Sequence, residues 1–174
     1  MININAQQQQ LGSACANAIN ASGQVVGMGP QGAFLYNGSI TNLGALPGDV
    51  YSNATGINAS GQIVGSSWTW TYYAPHDAFL YSGGVMTDIG SNTDAVGINA
   101  SGQVLLSNGS IYNSMTGTTT DLSHPGGWSV PLGINDSGQV AGYINNWLGE
   151  NVAGVYKDGV WSDLNTLIDP NLGH

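Results

Sequence analysis

The chain has 174 residues, enough for one domain with its own core; 41% of them are hydrophobic and only 6% are charged. Lys157 is the single basic residue against ten carboxylates, giving a net charge of −9. This argues against nucleic acid or an anionic membrane surface as a partner, since both are held by Lys and Arg. No stretch approaches the roughly 20 apolar residues of a spanning helix, so no membrane insertion is expected, and residues 1–11 lack the basic and apolar regions of a signal peptide.

In chain order, residues 1–12 form a terminal segment. Ile2 and Ile4 alternate with Asn and suit one closing strand, and the glutamines at 7–10 read as a linker. Unit one follows over 13–46. It opens with Cys15, which has no partner for a disulfide and reads as a small core residue. Next comes the phrase Ala18-Ile19-Asn20-Ala21-Ser22-Gly23-Gln24-Val25-Val26-Gly27. Short β-branched runs around a Gly-containing turn predict a hairpin, with the Asn side chain capping the turn and the Gly taking positive φ. A third strand is read at Phe34-Leu35-Tyr36 and a fourth at Thr41-Asn42-Leu43.

The pattern returns three times. Unit two, 47–90, carries Gly56-Ile57-Asn58-Ala59-Ser60-Gly61-Gln62-Ile63-Val64-Gly65, then Phe79-Leu80-Tyr81 and Thr87-Asp88-Ile89. Unit three, 91–123, has its phrase around Asn99, with Ile111-Tyr112 and Thr120-Asp121-Leu122 as later strands. Unit four, 124–165, has its phrase around Asn135, with Val155-Tyr156 and Ser162-Asp163-Leu164. The four asparagines lie 38, 41 and 36 residues apart, a spacing that marks a repeat architecture. Residues 166–174 form the other terminal segment of what reads as a single repeat domain, 1–174.

Each unit is expected to be a four-stranded antiparallel meander, so the fold class is all-β. Such units of about 40 residues are the blades of propellers, and a small, four-bladed β-propeller is the expected arrangement. The glycines bracketing the second strand, Gly61 and Gly65, would allow close approach near its axis. A stacked-meander solenoid or sandwich, or a ring completed by a second chain, satisfies the same pattern.

The unit-two phrase, with His76-Asp77-Ala78-Phe79-Leu80-Tyr81 and Thr87-Asp88-Ile89-Gly90, resembles the HAF-type extracellular repeats, a mostly bacterial family named for a His-Ala-Phe triplet. The resemblance covers nearly the whole chain. Here Asp77 intervenes between His76 and Ala78, and unit one has Gln31-Gly32-Ala33-Phe34, so any role of that histidine is not repeated. The resemblance implies an extracellular or periplasmic location and propeller-like blades, and it brings no biochemical activity.

Function is expected where copies differ. The segment 67–77 in unit two holds Trp68, Trp70, Tyr72 and Tyr73, four of the chain's fifteen aromatics, and unit four has a matching extension with Trp147. Alternation puts Trp68, Trp70 and Tyr72 on one face. Aromatic faces among Asn, Asp and Thr suit a glycan or other small polar ligand; packing against a neighbouring unit or a second subunit, as a homo-oligomer, is the other reading of the same residues. A non-enzymatic extracytoplasmic binding or assembly module is therefore the leading expectation. The rival is a hydrolase-like site, with or without a metal, built from His76, Asp77 and His124; a truncated or engineered repeat scaffold is a third reading. His76, Asp77, Asp88, Asp94, Asp121 and His124 form a small His and carboxylate set without metal-ligand spacing, and Asp88, Asp121 and Asp163 recur at one position, which argues for a turn or edge-strand hydrogen bond there. No nucleophile elbow, phosphate loop, zinc-protease motif or calcium loop is present, and no cofactor is expected.

Overall fold

The computed structural model describes residues 13–70, 75–123, 128–145 and 149–167. Among the described residues, sixteen strands form four antiparallel sheets, each a meander in sequence order. Sheet one comprises β1 (Cys15–Ile19), β2 (Val25–Gly29), β3 (Gly32–Tyr36) and β4 (Ile40–Gly44). Sheet two comprises β5 (Tyr51–Ile57), β6 (Ile63–Trp68), β7 (Asp77–Ser82) and β8 (Val85–Gly90). Sheet three is β9 (Ala95–Ile98), β10 (Gln103–Leu106), β11 (Ser110–Asn113) and β12 (Thr118–Asp121). Sheet four is β13 (Ser129–Ile134), β14 (Val140–Asn145), β15 (Asn151–Lys157) and β16 (Val160–Asp163), followed by a short 3₁₀ turn, Leu164–Leu167. The all-β expectation and the four repeated meanders hold.

The repeated phrase builds the same turn each time. In unit two, Gly61 N–H donates to the Asn58 carbonyl and Asn58 N–H to the Gln62 carbonyl, while Gly61 sits at φ +79°. This is a three-residue hairpin loop closed by a glycine bulge. The Asn58 Oδ1 accepts the Gln62 N–H at 3.0 Å, and its Nδ2 donates to Gln62 Oε1 at 2.8 Å. Asn20, Asn99 and Asn135 make the same pair of bonds to Gln24, Gln103 and Gln139. The repeated Gln therefore fixes which way its Asn amide points. Near the end of the fourth strand, Asp88, Asp121 and Asp163 each accept the backbone N–H two residues on, at 2.9, 2.9 and 2.8 Å, and Asn42 does so in unit one.

Gly65 has a different task. A Cβ there would lie 2.0 Å from the Asn53 carbonyl oxygen, because the first strand bulges at Thr55 and presses its backbone onto the second. Gly27 and Gly142 meet the same obstacle in sheets one and four. The close approach is thus to the neighbouring strand.

Consecutive sheets pack through apolar clusters. Val26, Leu43 and Leu46 of unit one meet Ile57, Ile63 and Phe79 of unit two. Val64, Leu80 and Ile89 meet Ala95, Val104 and Leu106, and Leu105, Ile111 and Leu122 meet Val140, Ile144 and Trp161. Buried aliphatic and aromatic chains contribute about 1.5–3 kcal/mol each, so these clusters dominate seam stability. Polar bonds add register: Asn20 Nδ2 donates to the Asn58 carbonyl, Asn58 to that of Asn99, and Asn99 to that of Asn135, at 3.1, 3.1 and 3.0 Å.

Among the described residues, no hydrogen bond or shared apolar cluster joins sheet four to sheet one. The consequence is visible at Cys15, which is exposed where the sequence suggests a core position. Among the described residues, no preceding unit lies against its strand.

Candidate binding site at the seam between units two and three

Trp68 closes β6 and pairs across the sheet with Tyr51 on β5. Their rings stack at 5.9 Å and 27°, the arrangement that a directly opposed aromatic pair favours. His76 lies against Trp68 at 4.8 Å and 27°, and Trp70 meets Tyr51 edge-on at 5.3 Å. Trp70 is 74% exposed and Trp68 only partly so. The column Tyr51–Trp68–His76, with Trp70 at its open end, is an aromatic shelf on the outer part of the seam.

Unit three supplies the polar side. His76 Nδ1 lies 2.8 Å from Asp94 Oδ1, and Ser66 Oγ donates to that same oxygen at 2.5 Å. Asp94 stands one residue before β9, at the position that Asn53 holds in unit two. Asn53 likewise accepts from the preceding unit, through Asn17 Nδ2 at 2.7 Å. The position is generic; the histidine and serine that reach it here are particular to unit two. Thr93 N–H donates to the His76 carbonyl at 2.8 Å, and Ser107 Oγ receives the Asp94 N–H at 2.9 Å. A shallow cavity of about 360 Å³ opens between these groups, lined by Pro75, His76, Asn92, Thr93, Asp94 and Ser107.

An ionised Asp94 can only accept, so this contact requires the His76 proton on Nδ1. A serine nucleophile would have to meet the imidazole at Nε2, with the carboxylate on Nδ1. Ser66 instead donates to the carboxylate, so the three residues share Asp94 and form no nucleophilic relay. Asp77 does not face His76's partner: its Oδ1 accepts the Asn92 N–H at 3.0 Å, capping a residue held at φ +57°. Among the described residues, no group of three His, Cys, Asp or Glu side chains is placed to hold a metal ion.

Of the residues expected from sequence, Trp68, Trp70 and His76 are brought together. Tyr72, Tyr73, His124 and Trp147 lie outside the described residues. Unit four shows the same tendency on a smaller scale, with Trp128 edge-on to Tyr143 at 5.9 Å and half exposed. Sequence reasoning missed Tyr51 and gave Asp94 no partner. Tyr51 is findable in principle, since it falls opposite Trp68 once the hairpin register is drawn. Asp94 is not, because its partners come from the preceding unit across a seam.

Comparison with family models, curated proteins and solved structures finds no match to this chain.

Proposed function

We propose that this protein is a non-enzymatic, extracytoplasmic repeat protein, built of propeller-like blades and related to the HAF-type repeats, that binds a glycan or similar small polar ring at the unit-two/unit-three seam. One observation carries the reading: an aromatic shelf ending in the exposed Trp70 stands beside a cavity lined by hydroxyls, an amide and a carboxylate. Sugar rings present C–H faces that stack on indole and hydroxyls that need polar partners, so this pairing of surfaces suits them. The low charge of the chain fits a neutral ligand better than a phosphorylated one. The test is a glycan array probed with the unmodified chain and with Trp70→Ala and Trp68→Ala. Binding that is lost in both variants supports the site; no bound glycan, or binding indifferent to both, removes it.

A second reading, hydrolysis at the same seam, has the His76–Asp94 pair in its favour. Its test is a panel of ester and glycoside substrates: turnover that disappears in His76→Ala supports it, and absence of turnover rejects it.

A further inference from the structure

The three internal seams are alike, and each has two halves. The earlier unit offers a forward half. It comprises a residue at the first-strand bulge (Asn17, Thr55, Val96), a second-strand residue (Val26, Val64, Leu105), a residue at the end of the fourth strand or just past it (Leu43, Ile89, Leu122) and the Asn amide. Asn17 Nδ2 and Thr55 Oγ1 reach the backbone carbonyls of Ala54 and Ala95 in the next unit, at 2.8 and 2.7 Å, and Val96 packs into the third cluster. The later unit offers a receiving half, centred on Ile57, Ile98 or Ile134 and on its own Asn carbonyl.

Among the described residues, units one and four carry one unused half each. In unit one, Ile19 is 68% exposed, whereas its equivalent Ile57 is 9% exposed. In unit four, the bulge residue Leu132 is 63% exposed and Leu164 is 39% exposed. Ala141 is exposed at the position where Val26, Val64 and Leu105 are all fully buried. The Asn135 amide donates to Gln139 but, among the described residues, to no following carbonyl. A groove of about 280 Å³ runs over this face, lined by Ile134, Asn135, Val140, Ala141 and Val155 among others. One end thus shows a forward half without a receiver, and the other a receiving half without a donor.

We propose that a second copy of this chain docks head to tail, unit four of one chain seating on unit one of the next as a fourth copy of the internal seam. Leu132 and Leu164 then meet Ile19, and the Asn135 amide meets the partner's Asn20 carbonyl. The contact is continuous with the interface that already joins each unit to the next, and so needs no new surface chemistry. Charge does not oppose it at the receiving end: residues 1–48 contain no Asp, Glu, Lys or Arg, so the net charge of −9 falls outside unit one. Repulsion from the remainder is screened over about 8 Å at physiological ionic strength. Head-to-tail contacts close into rings when the rotation permits and otherwise grow into open strings. This inference is independent of the aromatic shelf, which lies at another seam.

Sedimentation of the full chain across a wide concentration range gives the first test. The expected result is a mass of two chains, for a ring, or a mass that rises with concentration, for a string. The decisive arm uses Ile19→Asp and Leu132→Asp, both at exposed sites and checked for folding by far-ultraviolet circular dichroism. Each variant alone has one blocked end and sediments as a single chain. Their mixture retains one intact junction and yields a species of two chains and no larger. A single-chain mass for the unmodified protein at every concentration overturns the proposal. So does association that survives in either variant alone, or a mixture that stays monomeric.

Discussion

The side-chain amide of Asn58 donates to the backbone carbonyl of Asn99 at 3.1 Å, joining the hairpin turns of two successive units. The same amide donates to Gln62, and its oxygen holds the turn backbone. One residue type therefore closes the turn within a unit and fixes the spacing to the next. That double duty explains why the phrase is spelled so consistently.

Asn58→Ala removes bonds inside and between units from a residue only 5% exposed. Net hydrogen bonds are worth roughly 0.5–1.5 kcal/mol, and leaving buried groups unpaired adds to that, so a loss of about 2–4 kcal/mol is expected. Within a single chain, Asn135→Ala removes only the turn bonds, at an exposed site, and at a concentration low enough to keep the chain monomeric should cost about 1 kcal/mol. Urea unfolding of both variants checks the difference, and equal losses would contradict the inter-unit role.

Gly65→Ala should be far worse than Gly61→Ala. At Gly61 the cost is conformational, about 1–2 kcal/mol for an L residue at φ +79°, with only the tip of Gln24 near a new methyl. At Gly65 the methyl would meet the backbone oxygen of Asn53 at 2.0 Å, which cannot move without parting β5 from β6. A loss above about 3 kcal/mol, or failure to fold, is expected. Comparable unfolding midpoints for the two variants would count against the bulge geometry.

Trp161 fills the third cluster and donates its indole N–H to the Leu122 carbonyl at 2.6 Å. Trp161→Phe keeps much of the packing but leaves that buried carbonyl without its indole donor, costing about 1–3 kcal/mol. Trp161→Ala adds a cavity and should cost about 3–5 kcal/mol. Thermal unfolding should rank the two in that order.

His76→Ala should leave stability within about 1 kcal/mol, since His76 and Asp94 are 40% and 48% exposed and surface pairs contribute little. Trp70→Ala, at a site 74% exposed, should be similarly mild. A large loss in either would mean that the shelf is packing and not a surface held open for a ligand. Denaturant midpoints decide this independently of any binding assay.

How much was legible varies along the chain. The turn chemistry of Asn20, Asn58, Asn99 and Asn135 is local, confined to a few residues, and the sequence states it fully. The recurring Asp88, Asp121 and Asp163 are also local: their spacing points to a repeated hydrogen bond in a turn or at a strand edge, and the structure assigns it to the backbone N–H two residues on. Trp68 and Trp70 stand out because they break the repeat. Tyr51 and Asp94 do not stand out, since their significance comes from register and from the adjoining unit. Cys15 reads as core because small apolar residues usually are, yet it is exposed, and its equivalents Asn53 and Asp94 are only half-buried even with a preceding unit against them.

The sequence by itself determined the meander, its fourfold repetition and the turn that each Asn closes, because hydrogen bonds between near neighbours need only local spelling. The tertiary structure alone decided how units meet. Seam burial, the Asn20–Asn58–Asn99–Asn135 ladder and the His76–Asp94 contact join residues 18 to 41 positions apart, at distances that no local pattern encodes. It also decided which faces stay open, since Ile19 is exposed where its equivalent Ile57 is buried against the preceding unit.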